Sequence, residues 1–353
     1  MTVRRILICM HDFSRGGTER IAIGLAASWA AAGRDVTILC GSTEGGLRDT
    51  VDARVKVVAL DPPIRRGFLS RFRLARAMGK RLADLQPDVI FLPGNFHFLL
   101  AGALRRADPR AVIALKISNP PLPTAAPFAG WFFRHFTRAV DGFAAMNAGL
   151  ARELKALLPR RAVVTLHDPV YVRPAAPSSR TGGCNILWIG RLEPQKDPLL
   201  ALQIMKTMGG HLTMLGDGAL RGDIERRIAA MGLEMRVRLA GYVLEIESHL
   251  AAADALLITS RYEGGPAVAV EALAQGVPVV STDCSFLLHD LITSPEAGRI
   301  VSSRDAGTIA AALAAVCAQP RAAERLWALT VPFAPDACAR AYLDWFDALA
   351  RHG

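Results

Sequence analysis

Short apolar runs bounded by turn residues recur along the chain, and stretches of helical spacing lie between them. Residues 5–10, 36–40, 55–60, 89–92, 112–117, 142–145 and 163–166 read as buried strands. Ile21, Leu25, Ala26 and Trp29 share one face of a helix predicted over 16–32, which Gly33 stops. A second helix is expected over 72–85. The pattern breaks at 173–183, where prolines, glycines and small polar residues replace any apolar periodicity. That segment reads as a linker. The rhythm restarts with strands at 185–189, 211–215, 237–240, 255–259 and 278–281, and a helix over 305–318. Strand–helix alternation on both sides of a linker predicts an α/β protein of two Rossmann-like domains with parallel sheets facing across a cleft. The expected domains are 1–172, 184–332 and a helix over 333–353 that returns to the first domain. In that helix Tyr342, Phe346 and Leu349 fall on one face.

Length agrees with this division, since 353 residues make two domains at roughly 150 residues each. Apolar residues are 51% and charged residues 21%, which excludes a disordered or collagen-like chain. No apolar run approaches the ~18 residues of a membrane span. The run after Arg4 and Arg5 ends at His11-Asp12, too early for a signal peptide, so the protein is expected to stay in the cytoplasm. The six cysteines are scattered, with no Cys-x-x-Cys pair. They read as small buried hydrophobes in a reducing compartment, without a zinc site or disulfide framework.

Charge separates the halves. Residues 1–172 hold 25 Lys and Arg against 13 Asp and Glu, whereas 173–353 hold 17 against 19. In 62–81, seven cations alternate with Ile64, Phe68, Leu69, Phe72 and Leu74, and 131–136 repeats that chemistry. Cations beside aromatics suit an anionic membrane surface, which raises peripheral attachment at the inner face of the cytoplasmic membrane. The plain alternative is an aromatic core under a solvated basic face. No motif for nucleic acid accompanies the charge.

Loops that follow strands are where an open α/β sheet places its chemistry. In 259–283, Glu263-Gly264-Gly265-Pro266 leads into a helix expected to start at Pro266 and to end at Gly276. Bare backbone at a helix N-terminus favours a phosphate, while Glu263 and Glu271 suit neighbouring hydroxyls. A dipole-complementing Glu and a solvent-facing Glu are the plain reading. In 188–197, Gly190 permits close backbone approach, and Arg191 and Lys196 offer two cations to one anion. Asp197 suits an N-cap. Gly216-Asp217-Gly218 reads as a tight strand-to-helix turn that can approach a ligand, with Gly216 and Gly190 as donor-binding candidates, rather than as a dinucleotide fingerprint. Near the start, Gly16-Gly17 opens a helix. His11 and Asp12 beside it are catalytic candidates, with a structural His whose ring is satisfied as the favoured reading.

Together, Gly16-Gly17-Thr18-Glu19-Arg20, the Gly190-Arg191-Leu192 loop with Lys196, Gly216-Asp217-Gly218 and the Glu263-to-Glu271 segment resemble glycosyltransferase family 4, in this order and over about residues 5–345. The resemblance implies the GT-B fold and a retaining transfer from a nucleotide-diphosphate sugar, UDP-linked, to a glycan or lipid-linked acceptor in cell-surface polysaccharide or glycolipid synthesis. It implies that Arg191 and Lys196 bind the diphosphate, Glu271 the ribose and Glu263 the donor sugar. Gly264 and Gly265 would lie near the phosphates, Tyr242 and Val243 near the base, and Gly16 and Gly17 at the donor–acceptor junction.

A diphosphate leaving group needs its charge neutralised, and the chain has no Asp-x-Asp pair for a metal. A metal-independent enzyme without a cofactor is therefore expected, with preorganised cations in the metal's place. The chain departs from the family in two places. Where many members carry a sugar-contacting His, the corresponding stretch is 116–121, with Asn119 as the candidate. The common Asn-Pro before the linker is replaced by His167-Asp168-Pro169. The rival functions are a sugar-nucleotide epimerase and a non-catalytic glycan- or membrane-binding protein on the same scaffold.

Overall fold

A computed structural model describes residues 2–67, 69–119, 129–172, 184–243, 245–320 and 322–352. The predicted linker 173–183, Phe68 and Pro120-Pro121 lie outside the described residues. The chain divides into two compact units, 1–169 with 333–353, and 170–332. Each is built on one wholly parallel sheet.

In the first unit the strands are β1 (Arg5–Met10), β2 (Asp35–Cys40), β3 (Lys56–Ala59), β4 (Val89–Leu92), β5 (Val112–Ile117), β6 (Gly142–Ala145) and β7 (Ala162–Thr165), in the order β3-β2-β1-β4-β5-β6-β7. Its helices are α1 (Gly17–Ala31), α2 (Ser70–Leu85), α3 (Ala101–Ala107), α4 (Ala129–Thr137) and α5 (Ala148–Leu157). The central strands β4, β5 and β6 are buried along their whole length. Two apolar layers cover them, as an all-parallel sheet requires. Leu74, Met78 and Leu82 of α2 belong to one layer with Leu104 and Phe133, while Trp29 of α1 belongs to the other.

The second unit has β8 (Asn185–Ile189), β9 (His211–Leu215), β10 (Val237–Gly241), β11 (Ala255–Ile258), β12 (Val279–Thr282) and β13 (Gly298–Val301), in the order β10-β9-β8-β11-β12-β13. Its helices are α6 (Pro198–Thr207), α7 (Arg221–Ala230), α8 (Glu247–Ala252), α9 (Ala267–Ala274), α10 (Phe286–Leu291), α11 (Ala306–Cys317) and α12 (Ala323–Thr330). The four-residue β13 escapes a sequence reading because Arg299 interrupts its apolar run. The helix after β11 begins at Ala267, one residue later than expected. Pro266 takes an extended ψ of 96° and caps it instead.

The last helix, α13 (Pro335–His352), belongs to the first unit. Tyr342 and Phe346 are buried there as their spacing predicts, packed against Trp29 and Phe91 with centroids 5.2–5.9 Å apart. Such ring pairs add about 0.5–1.5 kcal/mol each beyond burial. Trp29 Nε1 also donates to Ala339 O at 3.1 Å. Gly142 leaves room for Leu349, whose methyl carbons lie 2.8 Å from where a Cβ would stand.

One sequence expectation is corrected. Cys184 and Cys317 form a disulfide, although 133 residues separate them. Packing of α11 on α6 beside β8 brings its last residue to the start of that strand, which no local spacing reports. Cys9, Cys40, Cys284 and Cys338 form no disulfide and are buried, as expected of small hydrophobes. The Asp168 that departs from the family pattern acquires a physical role. Its carboxylate lies 2.5 Å from the ammonium of Lys116, which is 1% exposed on β5. A buried ammonium without a counter-ion would cost several kcal/mol.

Candidate active site

Strand order reverses beside β8, whose neighbours are β9 and β11. Loops leaving adjacent strands at such a point part to opposite sides, and ligands of open α/β sheets bind there. The loop after β8 carries Gly190, Arg191 and Lys196, and the loop after β11 carries Glu263, Gly264 and Gly265. The two are tied together. Arg261 N donates to Gln195 O at 2.8 Å, and Gln195 Nε2 to Tyr262 O at 3.1 Å. Thr259 Oγ1 donates to Lys196 O at 2.8 Å and accepts from Trp188 Nε1 at 2.9 Å.

Across this junction the Lys196 ammonium is ion-paired with the Glu263 carboxylate. Ser260 Oγ donates to the same carboxylate oxygen at 2.6 Å. Glu263 is one-tenth exposed, and its own N–H donates to Cys284 O at 2.7 Å. Beyond it, Ser285 Oγ donates to Gly264 O at 3.2 Å, fixing the turn that leads into α9. Glu271 is half-buried within α9. The structure therefore brings Lys196, Glu263 and Gly264 together. Arg191 does not join them. It is exposed and pairs with Glu193 at 2.7 Å on its own loop.

Asp197 differs from its expected part. It adopts a left-handed φ of 47° and makes no side-chain cap. Its carboxylate instead accepts from Arg304 at 2.7 Å and Arg261 at 2.9 Å. Arg304 also donates to Thr259 O at 2.8 Å and Ser260 O at 3.1 Å. One guanidinium thus clamps both loops, and a left-handed non-glycine residue persists only where its surroundings fix it. Sequence reading missed Arg304. A basic residue just before the N-cap Asp305 was its only local signal.

Gly190, Gly216 and Gly241 meet at one end of the sheet, and close backbone approach explains Gly216. Gly216 has φ +131°, and a Cβ there would stand 1.9 Å from Gly190 O. Gly216 N donates to Gly241 O at 2.7 Å, and Gly190 N to Leu215 O at 2.9 Å. The glycine loop is the tight turn expected of it. Tyr242, three-quarters exposed, and half-buried Val243 follow Gly241 at the same end of the sheet.

The first unit has the same kind of reversal between β1 and β4. Gly16 caps α1, and a Cβ on it would stand 2.1 Å from Glu19 Oε2. The Glu19 carboxylate folds back over the helix start, and so the residue there is glycine. Gly17 faces open space. Gly94, after β4, packs on Thr18, and Asn95 Nδ2 donates to Asn119 O at 2.7 Å. Gly16, Gly17 and Asn119 thus sit on loops that touch one another in series.

His11 and Asp12 are both buried. Arg66 donates to Asp12 at 2.5 and 2.9 Å and to Glu19 at 2.6 Å. Burial alone would raise the Asp12 pKa, but hydrogen bonds from Arg66 and Ser14 hold it far below the usual carboxylate range. Burial lowers that of His11, with Asp12 opposing. The favoured sequence reading of His11 fails. Its Nδ1 lies 3.4 Å from Asp12 Oδ2, and neither ring nitrogen has a hydrogen-bond partner among the described residues.

The aromatic residues of the basic half divide. Ile64, Leu74 and Phe133 are core, whereas Leu69, Phe72, Trp131 and Phe132 are 41–60% exposed. Arg76, Lys80, Arg105, Arg106 and Arg138 line a groove of about 890 Å³ beside Phe72. No helix among the described residues is long and apolar enough to cross a membrane.

Comparison with known proteins bears on the family and the fold. A Glycosyltransferase Family 4 model matches residues 15–179, and a Glycosyl transferases group 1 model matches 183–319. The chain is 25% identical over 352 residues to the lipopolysaccharide core biosynthesis glycosyltransferase LpsD of Rhizobium meliloti, covering 96% of this chain and 97% of that one. In fold it is similar to the lipopolysaccharide outer core galactosyltransferase WaaB, with a TM-score of 0.81 at 18% identity over 97% of this chain and 99% of that one. It is also similar to HepE of Anabaena in complex with UDP, with a TM-score of 0.72 at 15% identity over 99% and 98%.

Proposed function

The chain belongs to glycosyltransferase family 4, and from that premise we propose a metal-independent, retaining hexosyl transfer from a UDP-sugar to a glycan or lipid-linked acceptor of cell-surface polysaccharide or lipopolysaccharide. The observation that carries this reading is the Lys196–Glu263 pair at the β8/β11 reversal, beside the turn into α9. There the ammonium and the N-terminal N–H groups of α9 would receive the diphosphate. Arg191, on the same loop, would swing from Glu193 to add a second cation. As the bond from the anomeric carbon to the phosphate oxygen breaks, charge grows on that oxygen. Fixed cations and dipoles stabilise it without reorganising. The same oxygen would take the acceptor's proton, so no protein base is required.

Glu263 holds the ammonium and faces the sugar hydroxyls, and Glu271 receives those of the ribose. Gly190 and Gly216 keep the loops low enough for the nucleotide, with Tyr242 and Val243 at the base. Gly16, Gly17 and Asn119, on loops of the first unit, would take part in acceptor recognition. The UDP in HepE and the lipopolysaccharide acceptors implied by the names of LpsD and WaaB support the donor and acceptor classes. Calorimetry against a panel of nucleotide sugars, followed by an assay of nucleotide release, tests the reading. Release that requires an added glycan acceptor is expected. An isomerised donor sugar with no acceptor requirement would replace transfer by epimerisation.

A second reading concerns location. The exposed Phe72, Trp131 and Phe132 beside a cationic groove favour peripheral attachment to an anionic membrane face over a wholly solvated surface.

A further inference from the structure

We propose that Arg304 is a positioning residue of the donor site, one that sets the Lys196 ammonium where the second phosphate of a nucleoside diphosphate binds. The proposal rests on the glycosyltransferase reading and adds a residue from a third segment of the chain. Arg304 lies between β13 and α11, apart in sequence from the loops after β8 and β11. Its guanidinium donates to Asp197 Oδ2 at 2.7 Å, to Thr259 O at 2.8 Å and to Ser260 O at 3.1 Å. Each acceptor is one step from the Lys196–Glu263 pair. Asp197 follows Lys196 in the chain. Thr259 Oγ1 donates to Lys196 O at 2.8 Å, and Ser260 Oγ donates to the Glu263 carboxylate at 2.6 Å. The hydrogen bonds of Arg304 therefore reach the neighbours of both partners of the pair.

The backbone at Asp197 explains why a clamp is needed there. Its φ of 47° and ψ of 58° are left-handed, a conformation that a Cβ disfavours and that persists where the surroundings hold it. The side chain makes no cap to α6, so the helix start does not hold the carboxylate. Two guanidiniums do, Arg304 at 2.7 Å and Arg261 at 2.9 Å. The Arg304 side chain is 36% exposed and that of Arg261 59%, so water screens the Arg304 contact less. A planar fork meets a carboxylate and two carbonyls from one centre, which the compact charge of an ammonium does not reproduce. Without the fork, the turn at Asp197 can relax and carry Lys196 with it. A displacement of about 1 Å in a group that must meet a reacting phosphate can cost about 10²-fold in rate.

The test is calorimetric titration of the full chain with UDP and with UMP, which share base, ribose and first phosphate. Their affinity ratio reads the grip on the second phosphate alone. The wild type should prefer UDP, and Lys196→Ala should lower that preference by about 10-fold or more. Arg304→Ala should lower it by about 5-fold or more, with UMP affinity within about 2-fold of wild type. Adding Asp197→Gly to Arg304→Ala should bring the preference back to within about 2-fold of wild type, because glycine adopts the left-handed turn unaided. Melting curves check that each variant is folded. Should Arg304→Ala not fold, Arg304→Lys, which keeps the charge and loses the fork, is read in its place. An unchanged preference in the Arg304 variant beside a collapsed one in Lys196→Ala would overturn the proposal and leave the donor site standing. Equal weakening of UMP and UDP, or no recovery with Asp197→Gly, would also overturn it and make Arg304 ordinary framework support. No preference in the wild type, or an unchanged one in both variants, would remove the donor site as well.

Discussion

The ammonium of Lys196 and the carboxylate of Glu263 form an ion pair between loops 67 residues apart. Each group is mostly shielded from water, and Ser260 is the other hydrogen-bond partner of the same Glu263 oxygen. Lys196→Ala should therefore act on catalysis far more than on folding. The expected loss in kcat/KM for the UDP-sugar is about 10²–10³-fold, the scale of one preorganised electrostatic group. The uncompensated Glu263 costs a further ~1–3 kcal/mol of stability. Steady-state kinetics with a melting curve check both, and wild-type turnover would remove Lys196 from the site.

Gly216→Ala should do the opposite. The new Cβ would stand 1.9 Å from Gly190 O at a φ of +131°, so the backbone must move. A destabilisation of about 2–3 kcal/mol is expected, or a Tm lower by roughly 4–12 °C. Gly17→Ala, where a Cβ meets open space, should leave Tm within about 2 °C. Differential scanning calorimetry of the two variants decides whether close approach or mere flexibility keeps glycine at position 216.

Membrane attachment predicts binding to vesicles rich in phosphatidylglycerol at low salt and little to phosphatidylcholine. Raising salt to about 0.5 M should release the protein, because the screening length is only ~10 Å at 0.1 M and shortens further. Arg76→Glu with Lys80→Glu should abolish co-sedimentation. If the wild type fails to sediment with anionic vesicles at low salt, the exposed aromatics are an ordinary solvated face.

Acid should destabilise the first unit through its histidines. His97 titrates near 4 when folded and near 6.5 when unfolded. Between these values the unfolded chain binds more protons, so stability is full above about pH 6.5 and is lost as the pH falls toward 4. The slope is at most about 1.4 kcal/mol per pH unit, and lower here because the half-buried ring keeps part of its hydration. Urea titrations at pH 7 and pH 5 should differ accordingly, and His97→Gln should flatten the difference.

Much of the architecture is legible in short segments. The runs at 5–10, 89–92 and 112–117 become strands with the bounds their apolar residues mark. Tyr342 and Phe346 become core on the face their spacing predicts. The Gly-rich loops, Lys196 and Glu263 are visible because turn and helix-start chemistry is local. Arg304, the Cys184–Cys317 bridge and the Lys116–Asp168 pair are invisible, since each joins residues more than 50 positions apart.

Sequence alone determined two parallel-sheet units, their helical cover and the residue types available for gripping an anion. Periodicity and turn preferences act over a few residues, and that range suffices for them. Tertiary structure alone decided which side chain each charge meets. Arg191 turns to Glu193, Asp197 to Arg261 and Arg304, and Nε2 of His11 to no partner among the described residues. An ion pair or a missing hydrogen bond is set by distances of about 3 Å between distant segments. Those distances exist only after the strands have ordered themselves in the sheet.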